Sequence, residues 1–148
     1  MEDLVCEVPH WKRVERLFFQ YADALNFRRL EILSEIFAED IITDWLGKSS
    51  QTGRADAIAY ISRALEGVKS SHHLFGNIVV SVKGDEASAS GRARAFYVGL
   101  SDREEDFVDT MVTYSIEAAQ TQGCWKIRRF SEALHIMRGN PAIFGQSS

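Results

Sequence analysis

Apolar residues recur along this chain at two different periods, and the change from one to the other divides it. In the first part Trp11, Val14, Leu17, Phe18, Tyr21 and Leu25 fall three and four apart, which predicts one apolar stripe on a helix. Pro9 stands where a first helical turn tolerates proline. The stripe stops at Asn26, a residue that leaves helices easily and caps new ones well. Leu30, Leu33, Ile36 and Phe37 make the apolar side of a second, shorter helix, closed by Ala38-Glu39-Asp40. Residues 41–46 then read as a strand and residues 47–53 as a polar loop. Thr52 is placed to cap a third helix with Ile58, Ile61 and Leu65 as its stripe, ended by Gly67.

After Ser70 the period becomes two. Residues 73–82 predict a strand, Lys83-Gly84-Asp85-Glu86 a turn, and residues 87–100 its antiparallel partner. A charged loop over 102–106 leads to a strand over 107–118, a turn at 120–123 and a last strand over 124–137. A block of helices followed by a meander of strands predicts an α+β fold, with N-terminal helices packed on a strongly curved antiparallel sheet. The last strand slips phase. Trp125 and Ile127 share one parity and Phe130, Leu134 and Ile136 the other, so a bulge or bend is expected at Arg128-Arg129. A sheet bent in this way can wrap a helix and leave a cone-shaped apolar pocket. Both faces of the 107–118 strand look apolar: Val108, Val112, Tyr114 and Ile116 on one side, Phe107 and Met111 on the other. Helices cover only one such face, so a homodimer through the outer face is expected.

A length of 148 residues suits one domain, 1–148. Sixteen aromatics against two prolines argue for a packed core. The net charge is −4, and the Lys and Arg residues are interleaved with acids, as in Arg103-Glu104-Glu105; no basic stripe points to nucleic acid. No apolar run reaches the ~20 residues of a membrane helix. The start, Met1-Glu2-Asp3-Leu4, lacks the pattern of a signal peptide. Cys6 and Cys124 have no metal-type spacing and read as free thiols of a reducing cytoplasm. No metal, phosphate-loop or nucleophile-elbow motif is present, and no cofactor is expected.

Several segments together resemble a known family. They are Phe19-Gln20-Tyr21-Ala22-Asp23-Ala24-Leu25-Asn26, Ile36-Phe37-Ala38-Glu39-Asp40, Thr52-Gly53-Arg54, Ser71-His72-His73-Leu74-Phe75-Gly76-Asn77, Val82-Lys83-Gly84-Asp85-Glu86-Ala87 and Gly123-Cys124-Trp125-Lys126-Ile127. Their order and spacing resemble the SnoaL-like branch of the nuclear transport factor 2-like superfamily, over nearly the whole chain. That superfamily includes dehydratases, dehydrochlorinases, polyketide cyclases, isomerases, accessory subunits of ring-hydroxylating dioxygenases and pure binding modules, so the fold does not fix the function.

In the dehydratase and dehydrochlorinase relatives, a His in the first strand of the meander acts as general base and an Asp at the end of the first helix orients it. His73 matches the first position; the second falls on Asn26. An amide accepts the same hydrogen bond but brings no charge to stabilise an imidazolium. Successive strand residues face opposite sides, so His73 is expected inward and His72 outward. Tyr21 on the helical stripe, Asp44 between apolar strand residues and Glu132 among Phe130 and Leu134 are candidate substrate contacts. His135 lies three residues beyond Glu132, and Arg92 and Arg94 share a strand face where cross-strand acids can pair them. Two functional expectations follow. One is a cofactor-independent lyase, isomerase or cyclase that moves a proton on a small apolar or cyclic substrate, with His73 as base and Asn26 as its orienter. The other is a non-catalytic ligand binder or an accessory subunit resembling the dioxygenase β subunit, to whose tail residues 138–144 are similar.

Overall fold

A computed structural model describes residues 7–145. The sequence start and Cys6 lie outside the described residues. Helix α1 (His10–Asn26) and the short α2 (Glu31–Ile36) lead into strand β1 (Phe37–Trp45). Strand β2 (Ser49–Thr52), helix α3 (Arg54–Leu65) and the long strands β3 (Val68–Lys83), β4 (Glu86–Gly99), β5 (Phe107–Thr121) and β6 (Cys124–Gly139) follow. A single 3-10 turn, Pro141–Ile143, closes the described chain. The strand order is β2-β1-β6-β5-β4-β3. The meander β3–β6 is antiparallel as its short turns require, whereas β1 joins β6 in parallel, so the six-stranded sheet is mixed. The helices pack on one face, in an α+β cone.

Local differences from the sequence pattern have simple causes. Phe37 is fully buried but begins β1 rather than ending α2, because its backbone is extended. The polar segment 47–53 contains β2, whose pairing with β1 needs no apolar residues at the sheet edge. Gly53, with φ of 99°, occupies the N-cap of α3 without a side-chain bond, and Thr52 remains in β2. Trp11 is about half exposed, since burial of the stripe begins at Val14. The first turn is tied down instead by His10, whose Nδ1 accepts a 3.0 Å bond from Trp125 Nε1.

Five register shifts interrupt the strand pairing of the described sheet, and three of them are bulges that bear on the site. Arg128 is the extra residue where Glu117 pairs with Arg129 and Ala118 with Ile127, at the break expected from the sequence. His135 is the extra residue where Met111 pairs with Ile136 and Val112 with Leu134. In β3, Asn77 and Ile78 together oppose Gly91, with Asn77 at φ of 50°. This third bulge moves the inward face of β3 from odd to even positions: His73 and Phe75 before it, Ile78, Val80 and Val82 after it. Gly91 permits it, since a Cβ there would stand 3.2 Å from Ile78 and 3.3 Å from Phe75.

The chain leaves β6 through Gly139, at φ of 103°, where a Cβ would come within 2.0 Å of the Phe107 carbonyl oxygen. Gly139→Ala should therefore cost at least about 2 kcal/mol, from a forbidden φ together with a backbone clash. Gly76→Ala, with open space around its Cβ, should stay within about 0.5 kcal/mol of the parent. Urea unfolding midpoints of the two variants check both.

Candidate functional site

The site lies where the inner face of the sheet meets α1 and α3. Cross-strand register builds its floor. Trp45 of β1 pairs with Glu132 of β6, Glu132 with Tyr114 of β5, and Tyr114 with Gly91 of β4. Alternation sends these side chains inward. A cavity of about 280 Å³ opens here, lined by Tyr21, Trp45, Tyr60, Tyr97, Phe144 and Glu132 together with aliphatic residues. Trp45 and Tyr60 stack face to face, 5.5 Å apart and 7° from parallel. Tyr97 and Phe144 meet edge to face at 4.9 Å. Gln51 Oε1 accepts from Trp45 Nε1 at 2.6 Å and from the Thr43 hydroxyl at 3.1 Å, fixing the indole from the sheet edge.

The structure brings Asn26 and His73 together. His73 is buried, and its Nδ1–H donates to Asn26 Oδ1 at 2.8 Å. That bond fixes the tautomer and leaves Nε2 as an acceptor. Nε2 is already taken, by the Tyr97 hydroxyl at 3.0 Å. His73 is thus sealed behind Tyr97 and is not among the residues lining the cavity. Burial pushes its pKa down to about 3, helped by the nearby charges of His72 and Arg28. Arg28, in a left-handed conformation just past α1, donates to the carbonyls of Leu25 and Val68 and to Ser71 Oγ, which holds a cation on the far side of the imidazole.

Glu132 has the opposite shift. It lines the cavity, no ion pair reaches it from the described residues, and burial alone raises its pKa to about 7. The phenols around it are raised as well, first by burial and then by Glu132 itself: Tyr21, Tyr97 and Tyr114 all stay neutral. Tyr21 sits at the centre of the cluster, 4.8 Å from Phe130, 5.5 Å from Tyr114 and 6.1 Å from His73 between ring centroids.

Asp44 does not join them. Ile41, Thr43 and Trp45 take the buried positions of β1, which turns Asp44 outward, where Oδ1 accepts from the Gly47 amide at 2.8 Å. Its role is in the turn, and its assignment as a substrate contact is withdrawn. His72 faces solvent. His135 is exposed on its bulge and bonds Thr113 Oγ1 at 2.7 Å. Arg94 pairs with Asp109 through two bonds of 3.0 and 2.7 Å, both on the outer face. Cys124 is an exposed free thiol. No group of metal-ligating residues occurs among the described residues. Sequence reasoning missed Tyr97, Trp45 and Tyr60. Tyr97 could have been found by applying to β3 the phase test that located the Arg128 bulge, because that bulge sets which β4 residues lie beside His73.

Residues 10–131 match the family model of the SnoaL-like domain. The chain belongs to that family. An uncharacterised protein of Mycobacterium tuberculosis is 28% identical to this SnoaL-like chain over 118 residues, covering 72% of it and 80% of the relative. Among solved structures, a candidate aromatic ring hydroxylase of Novosphingobium aromaticivorans superposes with a TM-score of 0.82 at 22% identity, covering 93% and 99% of the two chains. A hexachlorocyclohexane dehydrochlorinase of Novosphingobium barchaimii superposes with a TM-score of 0.75 at 15% identity, covering 86% and 87%. At such identities these likenesses show the fold, the nuclear transport factor 2-like cone. No helix of the described chain is long and apolar enough to cross a membrane.

Two tests bear on the electrostatics. Asn26→Asp places a carboxylate 2.8 Å from His73 Nδ1, so the His73 pKa should rise by about 1–3 units; an NMR titration of the ring protons reads it. Stability should also depend on pH with a defined sign. Glu132 binds its proton more tightly folded than unfolded, so its contribution is full below about pH 4.5 and is lost as pH rises through about 7. His73 acts in the other direction, losing stability as pH falls from about 6.5 toward 3. Glu132→Gln should therefore raise stability at pH 8 by on the order of 2 kcal/mol more than it does at pH 5, measured by urea unfolding at both values.

Proposed function

We propose that this SnoaL-like protein binds a small, mostly apolar or cyclic molecule in the aromatic cavity and moves a proton on it without a cofactor. Elimination, isomerisation and cyclisation are the reactions such a transfer serves. The observation that carries this reading is a carboxyl whose pKa lies near 7, facing an apolar cavity of ligand size. Glu132 is the group matched to giving and taking a proton at neutral pH. Tyr97, backed by His73 and Asn26, supplies a fixed hydrogen-bonding group beside it. His73 serves as a positioning residue, since both its nitrogens are engaged and its charged form is suppressed. Tyr21 completes the floor. The dehydrochlorinase neighbour, which bears its chemistry in its name, makes an elimination the first activity to assay.

One observation favours a second reading, a ligand-binding or accessory subunit. The observation is that the His73 position is closed off. Independently of either reading, the outer sheet face is apolar in a way that fits a partner copy. Leu74, Met111 and Ile136 lie in one cross-strand row with Arg94, and all three are about half exposed or more; Phe96 and Phe107 stack beside them at 5.9 Å. We propose this face as a homodimer interface, and the reducing cytoplasm as the compartment that suits the exposed Cys124. Light scattering after gel filtration should give twice 16.7 kDa, and Met111→Lys should give monomer.

For catalysis, the rate with an eliminating substrate should follow a single ionisation near pH 7, and Glu132→Gln should lower kcat by about 10²-fold or more. Tyr97→Phe should lower it less, while leaving the fold intact. A variant lacking Glu132 with full activity and an unchanged pH profile would refute the assignment and leave the binding reading.

A further inference from the structure

We propose that the molecule this cavity takes is a cation: a small amine or quaternary ammonium on a flat or cyclic apolar body, its positive charge held against Glu132 within the aromatic walls. The inference rests on the reading of the cavity as the substrate site and names the ligand class for it.

Three features point the same way. First, among the described residues Glu132 is the only charged side chain lining the cavity, and no described Lys, Arg or His faces it there. The titratable groups packed around it are Tyr21 from α1, Tyr60 from α3, Tyr97 from β4 and Tyr114 from β5, and its neighbour on β1 is the uncharged Trp45. His73 stands behind Tyr97, and Arg28 lies beyond it, turned to the backbone. An ionised Glu132 therefore has no counter-charge among the described residues, and a ligand cation supplies one. Second, the walls are π-faces. The stacked Trp45–Tyr60 pair, Tyr21, Tyr97 and Phe144 present the electron-rich surfaces that attract a desolvated ammonium. Third, the Tyr97 hydrogen is committed. The His73 tautomer imposed by Asn26 draws the Tyr97 O–H toward Nε2, and Tyr114 bonds the same oxygen, which leaves it one acceptor position for a donor in the cavity. A negative ligand would meet a carboxylate, π-faces and phenol lone pairs, with nothing to neutralise it. One carboxylate oxygen can hold the cation while the other meets a substrate proton.

Binding must then be linked to the Glu132 proton. Three probes with the same ring separate the alternatives: benzyltrimethylammonium, benzyl alcohol and benzoate, each titrated by calorimetry at pH 5 and pH 8. The permanent cation should bind about a hundredfold tighter at pH 8 than at pH 5. At pH 5, calorimetry in buffers of different ionisation enthalpy should show close to one proton released per cation bound, a measurement that needs no variant. Glu132→Gln should weaken the cation at pH 8 and remove the pH dependence. Benzyl alcohol should bind weakly and without pH dependence, and benzoate not at all. Benzyl alcohol binding as tightly as the cation, or cation affinity indifferent to pH, overturns the ligand class while the cavity reading stands. No binding by any of the three overturns the cavity reading together with it.

Discussion

The interior of this protein depends on the bulge at Asn77 and Ile78, the second of two register shifts in β3. A strand of sixteen residues that keeps strict alternation has one inward parity, but β3 must present His73 and Phe75 to α1 and Ile78, Val80 and Val82 to the far end of the core. The bulge at Asn77 and Ile78 reconciles the two, and Gly91 opposite gives the space. The inner row that carries Trp45, Glu132 and Tyr114 ends at Gly91. Bending of the sheet, placement of His73 beside Tyr97 and the floor of the cavity thus meet at one point.

From that geometry follows an interior short of positive charge. The one histidine inside is held neutral by burial and by the cation of Arg28, and the amide of Asn26 orients it without offering a charge. The carboxyl inside has no ion-pair partner among the described residues, and burial raises its pKa to about 7. A buried carboxyl without a counter-charge is costly to fold around. A cation entering the cavity, as proposed, relieves that cost. The group proposed to carry the proton thus lies on the last strand, while both ring nitrogens of His73 are engaged by its neighbours.

Much of this was legible beforehand, for identifiable reasons. The stripe from Val14 to Leu25 and the alternation in β4 and β5 are strong periodic signals, and each gave its element. The parity break at Arg128-Arg129 predicts a bulge or bend there, and a bulge is found at Arg128. Glu132 was read as inward from its parity with Phe130, and it is. What escaped detection depends on register. Tyr97 reaches His73 only because the β3 bulge shifts the pairing by one, and local pattern does not count across strands. Strand β2 escaped because an edge strand has no apolar alternation to show. Asp44 has apolar neighbours in sequence, but in a strand those neighbours face the other way, so apolar flanks do not make its surroundings apolar.

The turn that follows β6 has an effect beyond closing the chain. Asn140 anchors it, donating to Asp106 at 3.0 Å and accepting from the Ala142 amide, and the Gly145 amide returns to α3 at Ala64. Phe144 then completes the cavity wall against Tyr97. This wall belongs to no strand and to none of the helices that build the core. Pro141 and Phe144 line the cavity, whereas Ile143 between them is buried in the core. At those two positions the wall can change under selection with little cost to the sheet and its bulges, while the rest of the wall is shared with the elements that hold the fold together.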